Sequence, residues 1–140
     1  LVFVTRQEKR DSIPLAIVPL VMVGTWITHL FGGSGGREGV AVQIGATLSH
    51  AFGRKLKLPD NSKVMLVTGM AAGFGGLFQT PLTAVFFAIE VIVAGYMDYE
   101  AILPAMIGAF VASFTSHTLG LEKFEVNLNQ TINLTINKNI

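Results

Sequence analysis

The chain has 140 residues with ten Lys or Arg and nine Asp or Glu, a formal net charge of +1 that is too small and too scattered for nucleic-acid binding. Hydrophobic side chains make up 51% of it and charged ones 14%, with a mean hydropathy of +0.56, which excludes an ordinary soluble domain, because a water-facing surface needs more polar residues. There is no cysteine, hence no disulfide framework, thiolate metal site or cysteine nucleophile.

The opening run Leu1-Val2-Phe3-Val4 is too short for a signal peptide and is followed by mixed charge up to Asp11; without an initial Met, the chain reads as a fragment. From Ser12 to Leu30 about nineteen residues carry no ionisable group except His29, the length of one membrane crossing. Ser12 is expected to cap this helix, Pro14 to occupy its first turn and Pro19 to kink it. Trp26 suits either the membrane interface or a helix contact.

Glycines 32, 33, 35, 36 and 39 then interrupt the pattern before Val40–Phe52, which at 1.5 Å per residue would span about 20 Å, too short to cross alone. The basic loop from Gly53 to Lys63, like Arg6, Lys9 and Arg10, belongs on the cytoplasmic side by the positive-inside rule. The first helix then runs outward and the second returns, so the glycine connection dips into the membrane, where it must be buried in protein or line a watery cavity.

A third helix is expected over Val64–Phe78, capped by Asp60, Asn61 or Ser62, and a fourth from Pro81 to about Ala94. Gly69 and Gly73, with Ala71, Ala72, Gly75 and Gly76, form a small-residue face that admits another helix closely. Phe74, Phe78, Phe86 and Phe87 recur at helical spacing as packing residues, with Phe78 just before a helix break where a pore can pass. A polar turn over Tyr96–Glu100 leads to a fifth segment, Ala101–Ser116, whose Gly108, Ala109, Ala112 and Ser113 make a second close-packing stripe. His29, His50 and His117 share no metal-ligand spacing and read as interfacial or hydrogen-bonded groups; no metal and no cofactor is implied. Beyond Leu121 apolar and polar residues alternate with period two, so residues 125–140 read as an extended extracytoplasmic tail in which the sequons at Asn129 and Asn133 carry little weight. Residues 1–124 thus predict an all-α membrane protein, a multi-pass bundle of about five short, broken and re-entrant helices in the lipid bilayer.

The charged pair Arg37-Glu38 stands inside the run Gly32-Gly33-Ser34-Gly35-Gly36-Arg37-Glu38-Gly39, directly before a helix. A glycine-rich turn opening a helix presents unpaired backbone N–H groups and the positive end of the dipole, which attract anions without a metal. Nucleotide motifs fail on spacing, since Glu38 stands where the dinucleotide fingerprint needs glycine and Arg37-Glu38 is not the Lys-Ser/Thr of a phosphate loop. A carboxylate in apolar sequence points to ions or protons, and Glu38, itself an anion, can occupy an anion site and be displaced or neutralised. The competing reading is an ion pair with Arg37 or simple stabilisation of the helix start.

Gly36-Arg37-Glu38-Gly39-Val40 resembles the G-K/R-E-G-P signature of the CLC family of chloride channels and anion/proton antiporters. The resemblance extends over roughly Ile27–Leu119, through Val42-Gln43-Ile44-Gly45, Gly69-Met70-Ala71-Ala72-Gly73-Phe74, Phe78-Gln79-Thr80-Pro81-Leu82-Thr83-Ala84 and Phe87-Ala88-Ile89-Glu90. It implies a partial CLC-type transmembrane domain in a bacterial plasma membrane, with Glu38 as gating glutamate, the backbone of Gly39, Val40 and Ala41 on the anion pathway, and Arg37 and Phe78 beside the pore. It also implies transport of chloride or fluoride with possible proton coupling, and a homodimer through residues 81–94 and 101–116. Val40 departs from the family proline. Val91 stands where many chloride/proton exchangers place an internal proton-relay glutamate, directly after the position of Glu90; channels and fluoride exporters lack that glutamate too. Leu30-Phe31-Gly32-Gly33-Ser34 is closer to the bacterial fluoride-type branch. Other pore segments of the family, a Gly-Ser-Gly-Ile-Pro type stretch, a Gly-x-Phe-x-Pro helix start and a pore tyrosine, are not in these residues. The alternative from another class is a truncated or accessory membrane protein whose glycines only pack helices. Enzyme activity is not expected, since no nucleophile–base constellation occurs.

Overall fold

The computed structural model describes residues 13–56, 62–92 and 99–121, and all regular structure among them is helical. In chain order these are α1 (Ile17–Leu30), α2 (Arg37–Lys55), α3 (Ser62–Phe78), α4 (Pro81–Ile92), a 3-10 turn (Tyr99–Ala101) and α5 (Ile102–Thr118). The expected alternating tail, the capping candidates Asp60 and Asn61 and the end of the fourth segment near Ala94 lie outside the described residues.

Helix α1 is shorter than the sequence suggests. Pro14 and Leu15 form a turn whose carbonyls accept the Ile17 and Val18 amides at 3.1 Å, so the helix begins at Ile17, after Ala16. Pro19 therefore falls in the first turn, where its missing N–H has no intrahelical partner to lose, and the expected kink loses its cause. At 14 residues α1 spans about 21 Å, short of a crossing. It ends on Gly32 at φ +74°, with the Gly33 amide bonded to the Thr28 carbonyl at 2.8 Å and the Gly32 amide to that of His29 at 3.1 Å. These are the two bonds of a Schellman cap, and the left-handed residue is the one for which a side chain would be strained.

Helix α2 is longer than expected. It takes in Arg37, Glu38 and Gly39 at one end and Gly53, Arg54 and Lys55 at the other, 19 residues or about 28 Å. Gly53 is kept inside the helix by packing, since a methyl group there would approach the Met65 side chain to 3.1 Å.

Helix α3 is the centre of the bundle, packed against α2, α4 and α5, and it supplies Leu66, Val67, Met70 and Ala71 to a core completed by Ile13, Ala46, Ala84, Val85, Ala88, Ile89, Ala101, Ala105 and Ala109. This core is rich in alanine because the backbones are close. A methyl group on Gly45 would fall on the Gly69 carbonyl oxygen, one on Gly69 on the Gly45 carbonyl and Ser49 Cβ, and one on Gly73 on the Ala41 carbonyl. The pairs Ala41–Gly73, Gly45–Gly69 and Ser49–Met65 define an antiparallel register, the last through a Ser49 hydroxyl donating to the Met65 carbonyl. On the other side of α3, Gly75 meets Ala109, Gly76 meets Ala112 and Gly108 meets Thr68, so α5 runs parallel to α3. The small-residue faces expected on both helices are the surfaces they use.

Between α3 and α4, Gln79 adopts φ +55° and stops α3, Thr80 accepts the Ala84 amide at 3.0 Å, and Pro81 occupies the first position of α4, as its fixed φ favours. The Gln79 side-chain amide donates to the Leu121 carbonyl at 2.8 Å, tying this break to the end of α5. One helical run among the described residues, Tyr99–Thr118, is long and apolar enough to cross a membrane. It is longer than Ala101–Ser116 because the polar Tyr99 and Glu100 continue into the 3-10 turn instead of ending the helix.

Candidate functional site

The antiparallel register carries the start of α2 to one end of the bundle. Extending the Ala41–Gly73 pairing by one turn brings Arg37 level with Leu77, and hence the glycine connection to the same end as the Gln79-Thr80-Pro81 break and the last turn of α5. The basic groups Arg54, Lys55 and Lys63 lie at the opposite end.

Gly36 is the extended residue before α2, at φ −66° and ψ 135°, and contributes no side-chain cap. Arg37, Glu38 and Gly39 are the first three helical residues, so the amides without an intrahelical acceptor are those of Gly36, Arg37, Glu38 and Gly39. Of the backbone positions assigned to the anion pathway by resemblance, Gly39 is one of these four. Val40 and Ala41 come just after them, and the Ala41 carbonyl faces Gly73. Glu38 is the acidic residue of the first turn, where a carboxylate opposes the positive end of the dipole.

Glu38 is not enclosed by the residues of this chain. Its side chain and that of Arg37 are both exposed on this chain, and neither forms a hydrogen bond or ion pair with another described residue. An Arg37–Glu38 pair therefore does not account for the motif. Gly36 and Gly39 are equally open, with nothing within 4 Å of the place a Cβ would take. Phe78, the last residue of α3, is half-buried and belongs to an aromatic row: its ring centroid is 4.6 Å from that of Phe74, which stacks on Phe87 at 4.8 Å and 25°. Phe86 faces away from this row and is exposed.

The histidines go to three places. His29, exposed, uses Nδ1 to hydrogen-bond the Thr25 carbonyl at 2.7 Å, so that nitrogen carries the proton. His117 is exposed in the last turn of α5. His50 is buried on α2, and its Nδ1, like the Oγ of buried Ser116, has no hydrogen-bond partner among the described residues. Sequence spacing gave no signal for either buried group, nor for Gly45 as the partner of Gly69 and Gly73. A glycine in a helix shows that something comes close, but not what.

Comparison with known proteins adds the family. The model of the voltage gated chloride channel family matches residues 2–139. A chloride/fluoride channel protein of Pseudomonas syringae is 40% identical over 115 residues, covering 81% of this chain and 25% of its own length. The voltage-gated ClC-type chloride channel ClcB of Salmonella typhi is 28% identical over 104 residues, covering 74% of this chain and 25% of its own. Among solved structures, the crystal structure of a CLC-type fluoride/proton antiporter superposes with a TM-score of 0.84 at 55% identity, over 89% of this chain and 32% of the antiporter chain. The described helices thus reproduce part of that fold, and the chain spans a quarter to a third of the length of these relatives. With a family match over nearly its whole length, this chain belongs to the voltage-gated chloride channel, or CLC, family.

Proposed function

We propose that this chain forms part of a transmembrane pathway for fluoride, with chloride as the alternative anion, and that Glu38 is its gate. The observation that carries the reading is the exposed carboxylate of Glu38 in the first turn of α2, beside four amides without intrahelical acceptors and two glycines that nothing in this chain requires to be glycine. A permeating anion and the carboxylate compete for the same electropositive helix start. Ionised, Glu38 occupies it; protonated, it is neutral and yields it. Each opening by this route takes up a proton, so anion movement and proton movement are linked at one side chain. Val91, exposed on α4 at the position of the relay glutamate of many chloride/proton exchangers, cannot carry a proton, which favours Glu38 as the group that binds and releases it.

Fluoride is preferred because the relative with 55% identity is a fluoride/proton antiporter and the one from Pseudomonas is a chloride/fluoride channel protein. The same reading makes the protein an integral, multi-pass protein of a bacterial plasma membrane. It also makes it a homodimer joined through α4 and α5, whose outward faces carry exposed Leu82, Phe86, Leu103, Ile107, Phe110 and Phe114.

Efflux from liposomes of the full-length protein, loaded with equal fluoride or chloride, tests both parts. Fluoride is expected to leave faster, and Glu38→Gln is expected to abolish the pH dependence of efflux because glutamine cannot ionise. Chloride preference would replace fluoride, and unchanged pH dependence and proton movement in Glu38→Gln would remove Glu38 from the gate.

A further inference from the structure

At the end of the bundle opposite Glu38, the first turn before α1 and the last turn of α2 enclose a groove of about 400 Å³ lined by Ile13, Pro14, Leu15, Ala51, Arg54 and Lys55. Its two halves differ in chemistry. The floor is apolar, whereas the rim carries two exposed cations on consecutive residues of α2. The C-terminus of α2 contributes a partial charge of roughly −0.5 there, which two full positive charges outweigh.

Two exposed apolar stripes lead out of this groove towards the middle of the bundle. On α2, Ala51 and Leu48 precede Lys55 by four and seven residues, on one side of the helix, with exposed Phe52 beside them. On α1, which runs antiparallel, exposed Pro19, Met22 and Val23 follow Leu15 of the preceding turn by four, seven and eight residues. A ligand that fits carries an anionic group held at a fixed distance from long apolar chains.

We infer that this groove binds an anionic phospholipid, with the phosphate between Arg54 and Lys55, the glycerol region over Ala51 and Leu15, and the acyl chains along Leu48 and Met22. The site stands at the depth where the positive-inside rule places the headgroups of the cytoplasmic leaflet, next to the basic loop. A soluble phosphate satisfies the rim but makes no use of the two apolar stripes. A zwitterionic lipid covers the stripes but brings its own cation to the rim. The inference rests on the membrane placement proposed above and not on which anion passes, and lipid retention is measured without any flux, so the two readings fail separately.

Native mass spectrometry of the full-length protein, released from micelles containing phosphatidylglycerol or phosphatidylcholine, tests this. The unaltered protein is expected to retain phosphatidylglycerol preferentially. Arg54→Gln/Lys55→Gln is expected to weaken that retention about thirtyfold, from roughly a fivefold contribution per cation near a headgroup. Ala51→Leu, which fills the groove and leaves both charges, is expected to lose the lipid as well, and serves as the independent test if the double variant does not fold. Equal retention of the two lipids overturns the site, as does undiminished phosphatidylglycerol binding in either variant. Complete displacement of the lipid by millimolar inorganic phosphate also overturns it, in favour of a site for free anions.

Discussion

The glycines at the start of α2 and in its middle look alike in the sequence and behave in opposite ways in the fold. Gly45 is pressed against the backbone of α3 at Gly69 and Gly73, where a single methyl group would land on a carbonyl oxygen. Gly36 and Gly39, nine and six residues earlier, have open space where a side chain would be, and neither has the positive φ that favours glycine. Packing within this chain explains the first group completely and the second not at all. Small residues at a helix crossing let backbones approach closely; open glycines at a helix start let something outside the chain approach the backbone.

The largest effect is expected where the backbones meet. Gly69→Ala forces a methyl group against the Gly45 carbonyl and Ser49 Cβ, neither of which is the free end of a flexible side chain. Overpacking of this kind costs about 1–3 kcal/mol, and two rigid helices put this case at the upper end. Thermal denaturation in micelles is expected to show a clear loss for Gly69→Ala and a much smaller one for Gly76→Ala, whose added methyl would lie an ordinary 3.6 Å from Ala112 Cβ. Equal losses at the two positions would break the distinction drawn between a backbone crossing and a looser contact.

The second expectation inverts the first. Gly39→Ala replaces a glycine inside the first turn of α2 by a better helix former, so stability is expected to hold or rise by up to about 1 kcal/mol. Anion flux is expected to fall about tenfold, the effect of some 1.4 kcal/mol on a barrier, because the new methyl group projects beside the free amides. A variant that loses stability and flux together would place Gly39 with Gly45 as a packing residue and remove the contrast.

Much of this was legible in the sequence. The segment breaks at the glycine run and at Pro81 and the small-residue faces of α3 and α5 follow from local chemistry. Three features were not. The full length of α2 was hidden because Gly39 and Gly53 argue against helix one residue at a time, while the helix is held by its contacts with α3. The true start of α1 was hidden because Pro14 and Pro19 each suit a first turn, and only the backbone bonds to Pro14 and Leu15 decide between them. What surrounds Glu38, exposed within this chain, was not legible because it depends on elements distant in the chain and not on the neighbours in sequence.

Gln79 is the converse of the open glycines and gives the smallest, most discriminating test. At φ +55° it occupies the left-handed region in which a residue with a side chain is disfavoured by roughly 1–2 kcal/mol, so glycine is the residue the backbone alone would choose. The side chain recovers part of this by donating to the Leu121 carbonyl, a bond of about 1 kcal/mol that joins the α3–α4 break to the end of α5. Gln79→Gly relieves the backbone and loses the bond, so its net effect on thermal stability is expected within about 1 kcal/mol of zero. Gln79→Ala keeps the unfavourable φ and loses the bond, and is expected to cost about 1 kcal/mol. Because both variants lack the bond, their difference isolates the backbone term, and the cost of Gln79→Ala isolates the tether. If Gln79→Ala were neutral, the link to Leu121 would hold nothing, and the break would be fixed by Thr80 and Pro81 alone.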